Sequence, residues 1–156
     1  MQFSITGVGP GDIEDGIIDR NVSITSAAAN LWTSYVRLVS DLCGREPVGF
    51  SINSLAISLD LEESVNVTTL DDVLDGTATV YLAGGGVTVD IGTGVLSGAG
   101  PVGLEGVSTQ QSLAALHALM LASEFNVGLR AETSRTDAAD FSMDLQLTFL
   151  ARAHCE

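Results

Sequence analysis

The stretch that decides the fold is Phe141-Ser142-Met143-Asp144-Leu145-Gln146-Leu147-Thr148-Phe149-Leu150-Ala151. Phe141, Met143, Leu145, Leu147 and Phe149 alternate with Ser142, Asp144, Gln146 and Thr148. Successive side chains of an extended chain point to opposite faces, so the alternation predicts a strand with one face on a core and the other toward water or a partner. The stretch exceeds the usual strand length and is the expected backbone of a sheet. Just upstream, 125–133 reads as a second strand. Before it, Ser108 and Gln111 form a Ser-x-x-Gln capping box opening a helix over 108–124, with Leu113, Leu116, Leu119 and Met120 on its inner face.

The same arrangement, helix then strand pair, is read earlier in the chain. Thr25 or Ser26 caps a helix that runs to Cys43. Leu31, Tyr35, Leu38 and Leu42 make one stripe on it, and Trp32, Val36, Val39 and Cys43 the adjoining one. Gly44 closes that helix and Pro47 prevents its resumption. Phe50 and Ile52 then alternate in one phase, and Leu55, Ile57, Leu59 and Leu61 in the other. The slip at Asn53-Ser54 places a β-bulge there. The two helix-plus-strands units, 26–70 and 108–151, share no alignable residue pattern, so they are architecture and not a sequence repeat.

The remaining segments are shorter. Residues 2–8 form a strand ending at Gly7-Val8-Gly9-Pro10-Gly11, and 12–19 an exposed acidic loop with one anchoring turn. Residues 21–24 and 65–69 read as short strands, with a turn from Asp71-Asp72 to Gly76. Residues 77–82 and 87–91 form a hairpin across Ala83-Gly84-Gly85-Gly86. The glycine-rich stretch 92–106 carries no charge until Glu105 and reads as a long loop or arm. Within it Val95, Leu96, Val102 and Leu104 are too apolar for a free solvent loop, which makes them candidate oligomer contacts. The expected fold is α+β: one domain over 1–156, a largely antiparallel sheet and two amphipathic helices, 26–43 and 108–124. A β-sandwich with accessory helices is the alternative.

Composition narrows the function. Apolar residues make up 46% and charged ones only 17%, with 20 acids against 6 bases and a net charge of −14. Every base is an arginine, namely Arg20, Arg37, Arg45, Arg130, Arg135 and Arg152. Such a surface repels phosphate backbones and anionic lipid, which excludes direct nucleic-acid and membrane binding as expected roles. The start Met1-Gln2-Phe3-Ser4-Ile5 has no basic, apolar leader character, and no stretch is long and apolar enough for a membrane span. Cys43 and Cys155 are too few and too distant in sequence for a disulfide framework, and Cys43 reads as a small buried hydrophobe.

Three patterns carry chemical suggestions. Gly7-Val8-Gly9-Pro10-Gly11-Asp12 after a strand resembles the opening loop of the tetrapyrrole methylases, over six residues and without that family's second glycine motif. Val89-Asp90-Ile91-Gly92-Thr93-Gly94 is similar to the cofactor loop of class I methyltransferases and to the phosphate loop of sugar-kinase-like ATPases. The methyltransferase's third glycine falls on Leu96, and no lysine is present to neutralise a phosphate. Asp12, Glu14 and Asp15 before Gly16, and Asp71, Asp72 and Asp75 before Gly76, are oxygen-rich turns without EF-hand spacing. His117, His154, Cys43 and Cys155 show no local metal-pair spacing.

The expectation is therefore a non-enzymatic structural subunit of a symmetric homo-oligomer, with copies of itself and other subunits of the same assembly as partners. No cofactor, metal or small-molecule substrate is expected. A virion component of a tailed virus (head decoration, head-tail joining or tail completion) fits best, present in the host cytoplasm during assembly and then in the particle. The alternatives are a small anion- or cofactor-binding enzyme using 84–100 and a Ca²⁺-dependent binding module.

Overall fold

A computed structural model describes residues 2–24, 26–45, 48–106, 115, 118, 119, 124–135 and 140–155, without the side chains of 26–33, 36, 49–51, 53, 149 and 151. The chain runs β1 (Gln2–Val8), a 3-10 turn (Pro10–Asp12), β2 (Ile13–Glu14), β3 (Ile17–Ser23), α1 (Ser26–Cys43) and β4 (Gly49–Leu59). A second 3-10 turn (Leu70–Asp72) leads into β5 (Asp75–Gly84), β6 (Val87–Val95), β7 (Val102–Gly106), β8 (Asn126–Glu132) and β9 (Met143–His154).

All nine strands join one sheet in the order β1-β9-β4-β7-β6-β5-β8-β3-β2, and every pairing is antiparallel. The sheet curls into a half-barrel that brings β1 against β3 and β8. Phe3 on β1 meets Phe125 edge to face, with ring centres 6.1 Å apart. The alternation of β9 explains the curl's interior. Met143, Leu145 and Leu147 are fully buried and face Ile5, Ile57, Leu82 and Leu129 in one core, while Asp144, Gln146 and Thr148 lie on the other face. With 56% strand against 15% helix, the two-helix α+β expectation is corrected to a mostly antiparallel sheet in which α1 is the one helix with described bounds, and the sandwich alternative is compatible with it. The expected helix 108–124 and its Ser108 cap lie largely outside the described residues, of which Ala115, Ala118 and Leu119 are helical.

Several local readings hold. α1 has the expected bounds, and Gly44 closes it at φ 66° with its N–H donating to Asp41 O at 3.3 Å. The register of β4 on β9 shifts between Ile52 and Ser54, where the hydrophobic phase slips. β5 and β6 form the expected hairpin, turning at Gly85-Gly86. Others are corrected. Residues 65–69 make only an isolated bridge, Val65 to Ser142, and the acidic stretch 12–19 contains β2 and the start of β3.

The 92–106 stretch reads as a loop or arm in sequence, yet it holds the end of β6, a link over 96–101, and all of β7. Glycine serves close packing here. A Cβ at Gly92 would stand 2.2 Å from Leu55 Cδ2, so the Leu55 side chain occupies the space that a larger residue there would take. The link is tied inward: Leu59 N donates to Ala99 O at 2.8 Å and Leu70 N to Gly98 O at 2.7 Å.

The cysteines are corrected as well. Cys43, at the last residue of α1, is disulfide-bonded to Cys155 after β9, with Cα atoms 5.6 Å apart and a sequence separation of 112.

Candidate functional site

The acidic turns come first because they hold the most polar chemistry. Asp72 closes its own turn: Oδ2 accepts from Thr68 N at 2.8 Å, Thr68 Oγ1 at 2.9 Å and Thr69 N at 3.0 Å. These donors, the Thr68 amide foremost, favour the carboxylate and hold its pKa down to about 2. Asp71 Oδ1 accepts from Gly98 N at 2.7 Å, which lowers its pKa too and pins the 96–101 link. In the first turn Asp12 Oδ2 accepts from Gly9 N at 2.9 Å while Oδ1 lies 3.4 Å from Arg20 Nη1. Arg20 Nε also donates to Thr6 O at 3.2 Å. The resemblance of 7–12 to a cofactor loop thus rests on a self-capped turn. Asp12, Asp71 and Asp72 act as cap residues, and no group of three or more His, Cys, Asp or Glu side chains is placed to hold a metal among the described residues.

The glycines of 89–94 do not stand in a loop. Val89 to Gly94 lies inside β6, where Gly92 and Gly94 sit beneath Leu55 and Leu104. A cradle needs free backbone amides at a turn or helix start, and these amides stand in a ladder. His117 lies outside the described residues, and His154 O, at the end of β9, accepts from Val48 N at 2.8 Å.

One polar network is signalled by no motif. It lies on the outer face of β3, β8, β5 and β6, where Asp19 pairs across from Arg130 and Tyr81 across from Gly128. Tyr81 Oη donates to Asp19 Oδ1 and accepts from Asn21 Nδ2 at 3.4 Å, and Asn126 Nδ2 donates to Asn21 Oδ1 at 3.1 Å. The Tyr81 ring lies on Gly128, whose missing side chain makes the room: a Cβ there would be 2.2 Å from Tyr81 Cζ. Arg130 stands over the ring at 5.7 Å and reaches Asp90 at 3.7 Å. Burial first, and the bond to Asp19 second, raise the Tyr81 pKa. The phenol therefore stays a protonated donor near neutral pH, and the network joins neighbouring strands.

Exposed apolar side chains gather elsewhere. Leu38, Leu42, Val48 and Leu150 are 58%, 79%, 58% and 62% exposed, and all lie near the C-terminal end of β9. Leu61 and Val65 are 55% and 56% exposed at the other end of that strand, where Asp60 N donates to Asp144 O at 2.8 Å and Val65 N to Ser142 O at 2.7 Å. Of the residues expected as oligomer contacts, Leu96 and Leu104 are buried in the molecule's own core, Val102 is half-buried against it, and Val95 is 65% exposed. The pair Leu38 and Leu42 falls in the helix stripe that the sequence assigns to the interior; Tyr35 of that stripe packs on the core.

The chain matches no protein-family model, no curated protein and no solved structure. No helix among the described residues is long and apolar enough to cross a membrane.

Proposed function

We propose that this chain is a non-enzymatic structural subunit that assembles with copies of itself, of the kind that builds the particle of a tailed virus. The observation that carries this reading is the placement of its exposed apolar side chains. Leu38, Leu42, Val48 and Leu150 lie near one end of β9 and Leu61 and Val65 at the other, with Val87 and Val95 apart from them on β6, while Asp12, Asp71, Asp72, Asp19, Tyr81 and Arg130 are engaged in capping turns and joining strands. Exposed leucines on a helix cost free energy in a lone subunit and are covered on association. An acidic surface with net charge −14 favours a protein partner over nucleic acid.

Size-exclusion chromatography with light scattering tests the reading directly. A mass several-fold above the 16.1 kDa of one chain is expected, and a monomer at every accessible concentration would overturn it. Calorimetric titration with ATP and with S-adenosylmethionine is expected to show no heat of binding; micromolar affinity for either would replace the structural reading with an enzymatic one.

A further inference from the structure

The Cys43–Cys155 bond joins the end of α1 to the residue after β9, and the chain has no other cysteine. Its two sides differ in what else holds them. Cys155 follows a strand that is already fixed. The ladder of β9 on β4 runs from Gly49–His154 to Leu59–Leu145, and Val48 N donates to His154 O at 2.8 Å. The bond is thus not needed to hold β9 on β4.

Cys43 ends a helix whose outer side is in water. Ser34, Arg37, Leu38, Asp41 and Leu42 are exposed, and among the described side chains of α1 Tyr35 packs on the core. From Cys43 the chain passes through Gly44, at φ 66°, toward β4. Arg45 also reaches across, with Nε and Nη2 donating to Cys155 O at 3.1 and 2.7 Å. Those two bonds are exposed, and an exposed hydrogen bond competes with water, so they fix the helix end far less firmly than a covalent link does. The disulfide is itself within reach of solutes, since Cys155 is exposed and Cys43 half-buried. The buried cluster that includes Ile5, Ile57, Leu82, Leu129 and Leu145 is made of strand residues, so the bond can open without opening that core.

We propose that this disulfide is a redox-sensitive clasp: a dithiol reductant opens it, and the C-terminal half of α1 then leaves the end of β9 while the sheet stays folded. A thiolate of the reductant attacks the exposed Cys155 Sγ, the bond to Cys43 breaks, and Cys43 departs as a thiolate that takes up a proton. The second thiol of the reductant attacks the mixed disulfide, and Cys155 is released in the same way. The chain gains two electrons and two protons, and the dithiol becomes a disulfide. Exchange with an external disulfide runs the steps in reverse and returns the helix to the strand end. The clasp operates within a single chain and does not depend on assembly.

Hydrogen exchange read by mass spectrometry tests this on the full chain at neutral pH, before and after dithiothreitol, with free thiols counted in each sample. Two free thiols are expected after dithiothreitol without denaturant. Peptides covering 34–43 are expected to exchange at least about tenfold faster in the reduced protein, while those covering 127–131 and 143–147 keep their rates. Glutathione disulfide is expected to restore the slow rates as the thiol count returns to zero. A bond that resists dithiothreitol in the folded protein overturns the clasp, as does full reduction with unchanged exchange over 34–43. Reduction that speeds 143–147 as much as 34–43 overturns it too, because the bond would then fasten the whole fold and not the helix.

Discussion

The two ends of β9 are built in contrasting ways. At the N-terminal end, short turns are held by carboxylates that accept backbone N–H groups: Asp12 from Gly9, Asp71 from Gly98, Asp72 from Thr68 and Thr69. At the C-terminal end, α1 is fastened to β9 by the Cys43–Cys155 bond and by Arg45, and its outer side shows leucines to solvent. The first end draws its order from polar contacts, some within a turn, as Asp12 with Gly9, and some between distant segments, as Asp71 with Gly98. The second depends on a link between residues 112 apart. The difference teaches that one end is ordered by carboxylates that cap its turns, whereas the other is fixed by a covalent link across most of the chain and exposes leucines of its helix.

The largest effect should come from cutting the long-range link. C43S/C155S removes a closure of 112 residues, worth about 4–5 kcal/mol on chain-entropy grounds. Guanidinium unfolding in oxidising buffer measures it, and wild type and variant should converge once a reductant is added. Equal stability in oxidising buffer would mean that the α1 end is held by its packing alone.

Next in size is a change midway between the ends. Leu147 is fully buried on β9, so Leu147→Ala should cost about 2–5 kcal/mol, read by thermal or denaturant unfolding. An unchanged melting temperature would show that β9 does not anchor both ends to a shared core.

Acid should act on the N-terminal end more than on the other. Asp72 has its folded pKa held down from 3.8 to about 2, so its contribution is present above about pH 4 and is lost as pH falls through 2. Wild type should therefore lose more stability between pH 4 and pH 2 than Asp72→Asn does. Parallel losses in the two proteins would remove the capping role assigned to this carboxylate.

The smallest effect on the lone subunit is expected from Leu42→Glu, at 79% exposed, which should shift stability by no more than about 0.5 kcal/mol. A loss of several kcal/mol would place Leu42 in the interior and erase the contrast between the ends.

What could be read along the chain was what neighbouring residues decide. The period-two pattern of 143–148 marked the buried face of β9, the phase slip at Asn53-Ser54 marked the bulge, and Gly44 marked the end of α1. The polar network around Tyr81 has no signature along the chain because Asp19, Tyr81 and Arg130 come from three strands far apart in sequence and share no local spacing. Its one signal was Gly128, a glycine inside an apolar strand, which indicates a close approach by something large. The stretch 92–106 was misread for a related reason. A glycine chosen for flexibility and one chosen to admit Leu55 look the same in sequence, and only the neighbouring strand distinguishes them.

By itself the sequence determined the strands of the final third, the bounds of the first helix, the hairpin at Gly85-Gly86 and the acidic excess of the surface. Those features follow from side-chain periodicity, cap residues and charge, each set within a few residues of chain. The curl that encloses the core, the pairing of Cys43 with Cys155, and the exposure of Leu38 and Leu42 were decided only by the tertiary structure. A helix whose apolar stripe is wider than the surface it packs on must leave part of that stripe in water, and the width of that surface is set by strands far away in the chain.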